Sequence, residues 1–427
     1  MKKTFNFRLS RRALLKVASL TSAIALVSLP NLEAHAQADK NTLIIGHTTL
    51  RHLNPAIQSG SATGVPGVQL FAGLIELDEH FEAQPYLAES WDISEDGLSY
   101  EFRLQKNAVF HDGQPITSAD VAYSLDVVRD NHPFGALMFA AVSGIETPDD
   151  HTIQLTLDYP QPALITSLSP LLLPIIPKHV YSTEPIQTHP ANTKGVVGSG
   201  PFKLVEYRPG AHIIMERHDE YFREGLPRLD RLVFSIMQDS VTSVLAMERG
   251  DVHYLPFAGM RLADITRLEN NPKLKVTTNG YDALGAINYL EINHRKEPLG
   301  DIRVRQAIAH AIDKDFIVEK LLAGHGQRLD GPMTAANPFF SEDSLHVYEY
   351  DLEKAEKLLD EAGLKPNKDG IRLSVTLEWL PDVQVNSQQP VAQYLRNQLK
   401  KSESLHNYEQ TPIFLPGQHG LATGNMT

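Results

Sequence analysis

The chain has 427 residues, a formal net charge of −13 and no cysteine. The length suggests two or three domains. The absent cysteines exclude disulfide frameworks, thiolate zinc sites and cysteine nucleophiles. The acidic balance argues against nucleic acid as a partner.

Residues 1–36 read as an export signal. A basic stretch (Lys2, Lys3, Arg8, Arg11, Arg12, Lys16) precedes an uncharged run from Val17 to Leu32, and Ala34-His35-Ala36 and Ala36-Gln37-Ala38 are small-x-small cleavage patterns. Ser10-Arg11-Arg12-Ala13-Leu14-Leu15-Lys16 resembles a twin-arginine signal, with an ordinary secretory signal holding two arginines as the alternative. The uncharged run is short and interrupted by serines, Thr21 and Pro30, which disfavours a permanent membrane span. The expected location is the periplasm.

Thr42 to Gly46 reads as a buried strand. Leu53-Asn54-Pro55 to Gly67, rich in Gly, Ser and Pro, is expected to be loop. Tyr100 to Leu104 and Thr152 to Leu157 alternate as half-buried strands do. Between them lies FHDGQPITSADVAYSL, residues 110–125. Asp112-Gly113 and Pro115 are turn residues, and Thr117 with Asp120 forms a capping box before a helical stripe of Val121, Leu125 and Val128. His111 and Asp112 are therefore read as turn-builders rather than catalysts. Leu171 to Pro177 is apolar but holds two prolines, which points to a buried irregular segment.

Phe202–Tyr207 and Ile213–Arg217 read as a hairpin around Pro209-Gly210, followed by a strand at Leu232–Ile236. A helix from Ser240 to Arg249 stops at Gly250, and Asp251–Tyr254 resumes as strand. Later the pattern turns helical. Val304, Ala307, Ile308, Ala311 and Ile312 form one stripe; Ile317 and Leu321 mark a helix ending near Gly324. Asp351 caps a helix with Leu352, Ala355, Leu359 and Ala362 inward and Gly363 at its stop. Arg372–Glu378 reads as strand, and Val391, Leu395 and Leu399 mark a last helix. The class is α/β or α+β.

Several segments together carry a resemblance. They are Leu74–Asp78, Pro85-Tyr86-Leu87-Ala88-Glu89-Ser90-Trp91, Ser94–Phe102 and the stretch 110–125 just described. Ile176–Tyr181, Gly198-Ser199-Gly200-Pro201-Phe202, Tyr221-Phe222-Arg223 and Arg303–Asp313 follow in order. The pattern resembles the family 5 extracellular solute-binding proteins of ABC importers, the dipeptide, oligopeptide and nickel group, from about residue 42 to about 400. The resemblance implies an α/β, two-lobed periplasmic binding protein of class II type, with an extra subdomain inserted in lobe I. It implies 41–76 plus 195–288 as the lobe I core, 77–194 as the insert, 289–401 as a partial lobe II and 402–427 as an aberrant tail. The tail, SESLHNYEQTPIFLPGQHGLATGNMT, shows neither alternation nor helical stripe and reads as a frameshifted or truncated end, with a divergent terminus as the alternative. Lobe II is then incomplete, and the family's main ligand-anchoring positions have no counterpart here.

The implied activity is capture of an oligopeptide or other small solute between the lobes and delivery to ABC permease subunits in the inner membrane, as a monomer. The alternatives are a nickel or metal-chelate binder of the same family, or a truncated non-functional or chaperone-like product. The expected ligand contacts are Arg51, His52 and Asn54, on the loop after the first strand, with Tyr289 and Asn293 on the crossover to lobe II; Tyr289 and Ile292 are the expected hinge residues. No enzyme, cofactor, metal site or catalytic residue is expected. G-x-S-x-G and H-E-x-x-H are absent, the eighteen histidines are scattered, and Gly195-x-x-Gly198-x-Gly200 lacks the Lys-Ser/Thr of a phosphate loop.

Overall fold

The computed structural model describes residues 41–256, 260, 262–278, 287–335, 337, 339–379 and 388–401. The expected signal at 1–36 and the tail at 402–427 lie outside the described residues.

The first strand, β1, is Thr42–His47. After it the sequence expectation of loop fails. Pro55–Ile57 is a 3-10 turn and Ser61–Leu70 is a helix, α1. The Gly and Pro residues that signal a loop serve close packing instead. A Cβ on Gly64 would lie 2.4 Å from Leu171 Cδ1, and one on Gly67 would lie 2.4 Å from Pro55 Cγ. The turn rule fails because the missing side chains make room for neighbours, not for unusual backbone angles.

Next come β2 (Ile75–Leu77), β3 (Ala83–Pro85), β4 (Ala88–Ile93) and β5 (Ser99–Leu104). The capped helix α2 is Ser118–Asn131. Its capping acid does double duty. The Asp120 carboxylate accepts the Thr117 N–H at 3.0 Å and the Thr117 hydroxyl at 2.8 Å on one oxygen, and the Lys178 N–H at 3.0 Å on the other. A short helix α3 (Gly135–Met138), β6 (Val142–Asp149) and β7 (Thr152–Leu157) follow. An antiparallel sheet runs in the order β4-β5-β7-β6, with Tyr100 opposite Leu155 and Phe102 opposite Ile153. Those four side chains are buried, and their period-2 spacing is what the sequence displayed.

The segment to Pro177 is irregular and buried, as expected, and leads into the single turn α4 (Lys178–Tyr181). Then β8 (Phe202–Arg208), β9 (His212–Arg217) and β10 (Arg231–Ile236) complete a second sheet in the order β1-β10-β9-β8. Helix α5 (Ser240–Arg249) is capped by the Asp239 carboxylate and stopped by Gly250 at φ 81°. The strand expected at Asp251–Tyr254 is only a parallel bridge from Tyr254 to Ile45. Helix α6 is Leu262–Glu269.

The two four-stranded sheets, the β2-β3 pair, α1 and α2 share one apolar cluster, from Ile45 to Ile236. A second cluster is built wholly from residues 304–399. It joins α7 (Ile302–His310), α9 (Leu352–Glu361) and α10 (Gln388–Lys401) through Val304, Ala307, Ala355, Leu359, Leu395 and Leu399. Between α7 and α9 the expected helix at Ile317 is a short α8 (Lys314–Phe316) that widens into a π turn, Ile317–Leu321. Arg372–Glu378 makes a single bridge at Leu373 rather than a strand. Its side chains still alternate, Leu373 and Trp379 buried and Ser374, Thr376 and Glu378 exposed. Alternation follows from extended backbone alone, whereas a strand also needs a paired neighbour. No helix among the described residues is long and apolar enough to cross a membrane.

One crossing organises the first cluster. Segments 70–74, 168–176 and 198–200 meet backbone to backbone. Gly200 N–H donates to Leu70 O at 2.8 Å, Ile175 N–H to Ala72 O at 2.8 Å and Leu74 N–H to Leu168 O at 3.0 Å. The fully buried Ser199 hydroxyl donates to Ile175 O at 2.8 Å and accepts the Ala72 N–H at 2.9 Å. A Cβ on Gly198 would sit 2.0 Å from Leu70 O, and one on Gly73 would sit 2.4 Å from Pro170 N. His111 closes the junction. Its main-chain N–H donates to Gly198 O at 2.9 Å, Nδ1 accepts the Gly198 N–H at 3.1 Å, and Nε2 donates to Gly200 O at 3.1 Å. Asp112 builds the turn as expected, accepting the Gln114 N–H, with Gly113 at φ 82°. His111 does more than the sequence indicated: it ties that turn to the Gly-Ser-Gly segment.

Two outcomes follow from this junction. Gly198→Ala would drive its Cβ into the Leu70 main chain, with the His111 ring 3.1 Å away, and is expected to cost on the order of 3 kcal/mol or to prevent folding. Gly113→Ala, which meets no neighbour and pays only for its backbone angle, is expected to cost less; urea denaturation of both compares them. Burial lowers the His111 pKa to about 3; His218 and Lys203 add to the depression, while Gly200 O and Asp112 oppose it. A folded value below the unfolded one near 6.5 means this stabilisation is complete above pH 6.5 and lost as pH falls toward 3. Burial depresses His47, His52, His132 and His218 as well. His111→Gln is therefore expected to flatten, not abolish, the acid loss, by up to about 1.4 kcal/mol per pH unit. Unfolding free energies at pH 7, 5.5 and 4.5 give the slope.

Candidate functional site

The loop after β1 is fixed at several points. Leu50 and Leu53 are buried and anchor it in the core. The Tyr207 hydroxyl donates to Leu50 O at 2.8 Å, and the Thr63 hydroxyl donates to His52 O at 3.1 Å. Leu53 N–H donates to Asn192 O at 2.9 Å. Upstream, His47 Nε2 donates to Ala62 O at 2.8 Å, tying the end of β1 to α1.

Asn54 is only 1% exposed. Its Oδ1 accepts the Ala56 N–H at 2.9 Å, capping the 3-10 turn at Pro55–Ile57, and its Nδ2 donates to Asn192 Oδ1 at 2.9 Å. Asn192 Nδ2 donates in turn to Ile186 O at 2.6 Å. Asn54 is thus committed to holding the loop. The expectation that it touches ligand does not fit a side chain buried with both ends engaged. The polarity of Asn54 is legible from its residue type; its partner, 138 positions away, is not.

His52 is half-buried, and its Nδ1 is buried without a hydrogen-bond partner. Burial and the adjacent Arg51 charge lower its pKa, with a hydrogen bond to the Asn54 main chain opposing, so the ring is neutral at pH 7. Arg51 is exposed and makes no hydrogen bond or ion pair among the described residues.

Tyr289 is 74% exposed and lies outside any helix or strand. Ile292 is half-buried against the second apolar cluster. Asn293 is exposed and opens a turn, its Oδ1 accepting the Arg295 N–H at 3.1 Å and its carbonyl accepting the Lys296 N–H at 3.2 Å. Among the described residues no hydrogen bond or ion pair joins the 50–54 loop to 289–293. No group of three or more His, Asp or Glu among the described residues is arranged to hold a metal ion.

Sequence reasoning missed Asn192, Tyr207 and Thr63 as the pins of the loop. Their only local signal is turn chemistry at His189-Pro190-Ala191-Asn192, which speaks to a bend and not to a distant contact.

The comparisons with known proteins bear on most of the chain. Residues 82–402 match the bacterial extracellular solute-binding proteins, family 5 Middle. The oligopeptide-binding protein AppA of Bacillus subtilis is 29% identical over 345 residues, covering 78% of this chain and 62% of AppA. The heme-binding protein A of Haemophilus influenzae is 30% identical over 357 residues, covering 78% of this chain and 64% of that protein. The chain thus spans about three-fifths of the length of these relatives. Among solved structures, NikZ from Campylobacter jejuni in complex with Ni(L-His) superposes with a TM-score of 0.73 at 26% identity, over 89% of this chain and 75% of NikZ. AppA from Bacillus subtilis in complex with a nonapeptide gives 0.72 at 26% identity, over 87% and 74%. The mixed α/β architecture described above is that fold.

Removing one buried amide strands the other. Asn54→Ala and Asn192→Ala are each expected to lower stability by about 1–3 kcal/mol. The double variant should cost clearly less than the sum, because the second truncation removes the stranded group. Additive losses in chemical denaturation would show that the two amides do not act as a pair.

Proposed function

We propose, since the chain belongs to the bacterial extracellular solute-binding proteins of family 5, that it is the periplasmic capture component of an ABC importer. It takes up a small solute, peptides first among them, and hands it to permease subunits of the inner membrane without making or breaking a covalent bond. The observation that carries this reading is the match over residues 82–402, in chain order. The likeness to a structure holding a nonapeptide supports a peptide as solute.

We assign 41–76 plus 195–288 to the core of one lobe, 77–194 to its insert and 289–401 to the second lobe. The separate apolar cluster formed by residues 304–399 supports that division. The half-buried Ile292 beside the exposed Tyr289 and Asn293 supports a hinge role at the crossover, where a few residues absorb the change in backbone angle as lobes close. Affinity for a peptide then comes from main-chain hydrogen bonds, with ordered water filling the space around variable side chains.

A second reading rests on the likeness to NikZ with Ni(L-His). Since no described cluster of His, Asp or Glu is arranged to hold a bare ion, the metal would enter already wrapped in its chelate.

The test is native mass spectrometry of the exported chain, followed by thermal melts with a random tripeptide library and with nickel–histidine. Copurifying peptides and a melting midpoint that rises with library concentration are expected. A rise with nickel–histidine alone selects the second reading. Flat melts with both overturn solute capture.

A further inference from the structure

We propose that His325 and Glu269 form a proton-operated latch between the two assigned lobes, held when the imidazole is charged and released when it is neutral. This rests on the two-lobe reading of solute capture above and adds to it a control on lobe movement.

The pair bridges the crossover at 289–293. Glu269 is the last residue of α6, on the near side. That helix is tied back to α5 by Arg267, which donates to the Glu248 carboxylate, and its Leu268 is buried. His325 lies on the far side, just after the π turn Ile317–Leu321, whose Ile317 packs on the second apolar cluster. His325 Nε2 stands 3.9 Å from Glu269 Oε1. That is too long for a hydrogen bond and close enough for opposite charges to attract. Neither side chain has another ion pair or hydrogen bond among the described residues.

The backbone before His325 is unusual. Ala323 at φ 46° and Gly324 at φ 81° are both left-handed. Gly324 N–H donates to Val318 O at 2.9 Å, and His325 N–H donates to Leu322 O at 2.8 Å. A left-handed alanine costs energy that its surroundings must supply, and such residues, like π turns, concentrate where a chain has a task. The residue that emerges from this turn is the one that meets α6.

Imidazole is the side chain whose ordinary charge change falls between about pH 5 and 8. A contact that spans two lobes is altered when they turn about a hinge. The pair therefore couples lobe movement to a proton, and the coupling acts in both directions. The other charges on the surrounding elements are not paired with either member. Lys320 lies 3.5 Å from Glu319 on the π turn, and Lys314 is held by Asp330. Arg328 spans Asp315, Asp330 and Glu349. Asp264 is buried on α6, and Lys273 is exposed beyond its end. Helix α10, which stacks Tyr394 on Phe316 at 4.7 Å, carries the exposed Arg396.

Other features carry less. The apolar side chains Phe134 and Leu137 are exposed around α3, with nothing to indicate what covers them. The shallow depression of about 430 Å³ beside Arg103, Lys106 and Asp149 mixes both signs of charge without convergence.

The chain has no cysteine, so Arg228→Cys and Lys357→Cys, both at exposed positions, place one spin label on each assigned lobe. Distance distributions are measured by pulsed electron resonance at pH 5.5 and pH 8. With side chains 30% and 40% exposed, solvent screens the pair, and the latched population is expected to be up to about fivefold higher at pH 5.5. His325→Gln and Glu269→Gln should give one distribution at both pH values, and His325→Arg should stay latched at both. A wild-type distribution blind to pH, or a response undiminished in His325→Gln, overturns the latch and leaves solute capture standing. A random tripeptide library is then offered at both pH values and retention read by native mass spectrometry. Retention is expected to change with pH in wild type by up to the same factor, and not in His325→Gln. Equal retention by wild type at both overturns the coupling to capture. Retention at neither, with the distances still responding, overturns solute capture and leaves the latch.

Discussion

The first apolar cluster depends on a close crossing of main chains. Leu70–Leu74, Leu168–Ile176 and Gly198–Gly200 approach so nearly that no Cβ is tolerated at Gly73, Gly198 or Gly200. Hydrogen bonds between peptide groups replace side-chain packing at this point, and Ser199 supplies the remaining donor and acceptor. The cost of bringing polar backbone into an apolar interior is offset only when every group finds a partner. Here they do so across more than a hundred positions of sequence, from Leu70 to Gly200.

From that crossing the site loop inherits its order. Helix α1 runs from the loop into Leu70, so its register is set at the junction. Its N-terminal half then presents Ala62 to His47 and Thr63 to His52. On the other side Asn192 sits a few residues before Gly198 and reaches Asn54. The loop of Arg51 is held between two segments that the same crossing positions.

Much of this was legible in the residues. Strands with one buried face announced themselves by alternation, as Thr152–Leu157 did, and helices with a strong stripe and a cap did so at Asp351–Gly363. What was not legible shares one cause. Gly64 and Gly67 look like turn residues because a sequence does not say what stands opposite a missing side chain. Arg372–Glu378 alternates like a strand, but pairing belongs to two segments and not to one. His111 looked like a turn residue because its partners are 87 and 89 positions away. At the candidate site Arg51 and His52 were expected from their place after β1, and the structure puts them on a loop pinned at Leu50, His52 and Leu53. Asn54 was picked for its polarity, and burial then gave that polarity an internal use.

The crossing also has a bearing on how such a chain changes over time. Chain that leaves the crossing at Leu74 and comes back to it at Gly198 passes out and back through one stitched seam. What lies between those two points, apart from the strip 168–176 and His111 that belong to the seam, hangs from a closed collar. Residues gained or shed far out on that appendage leave the seam's own geometry untouched, much as a sentence survives edits inside its parenthesis. Insertions far out on the appendage are therefore compatible with an unchanged sheet beneath.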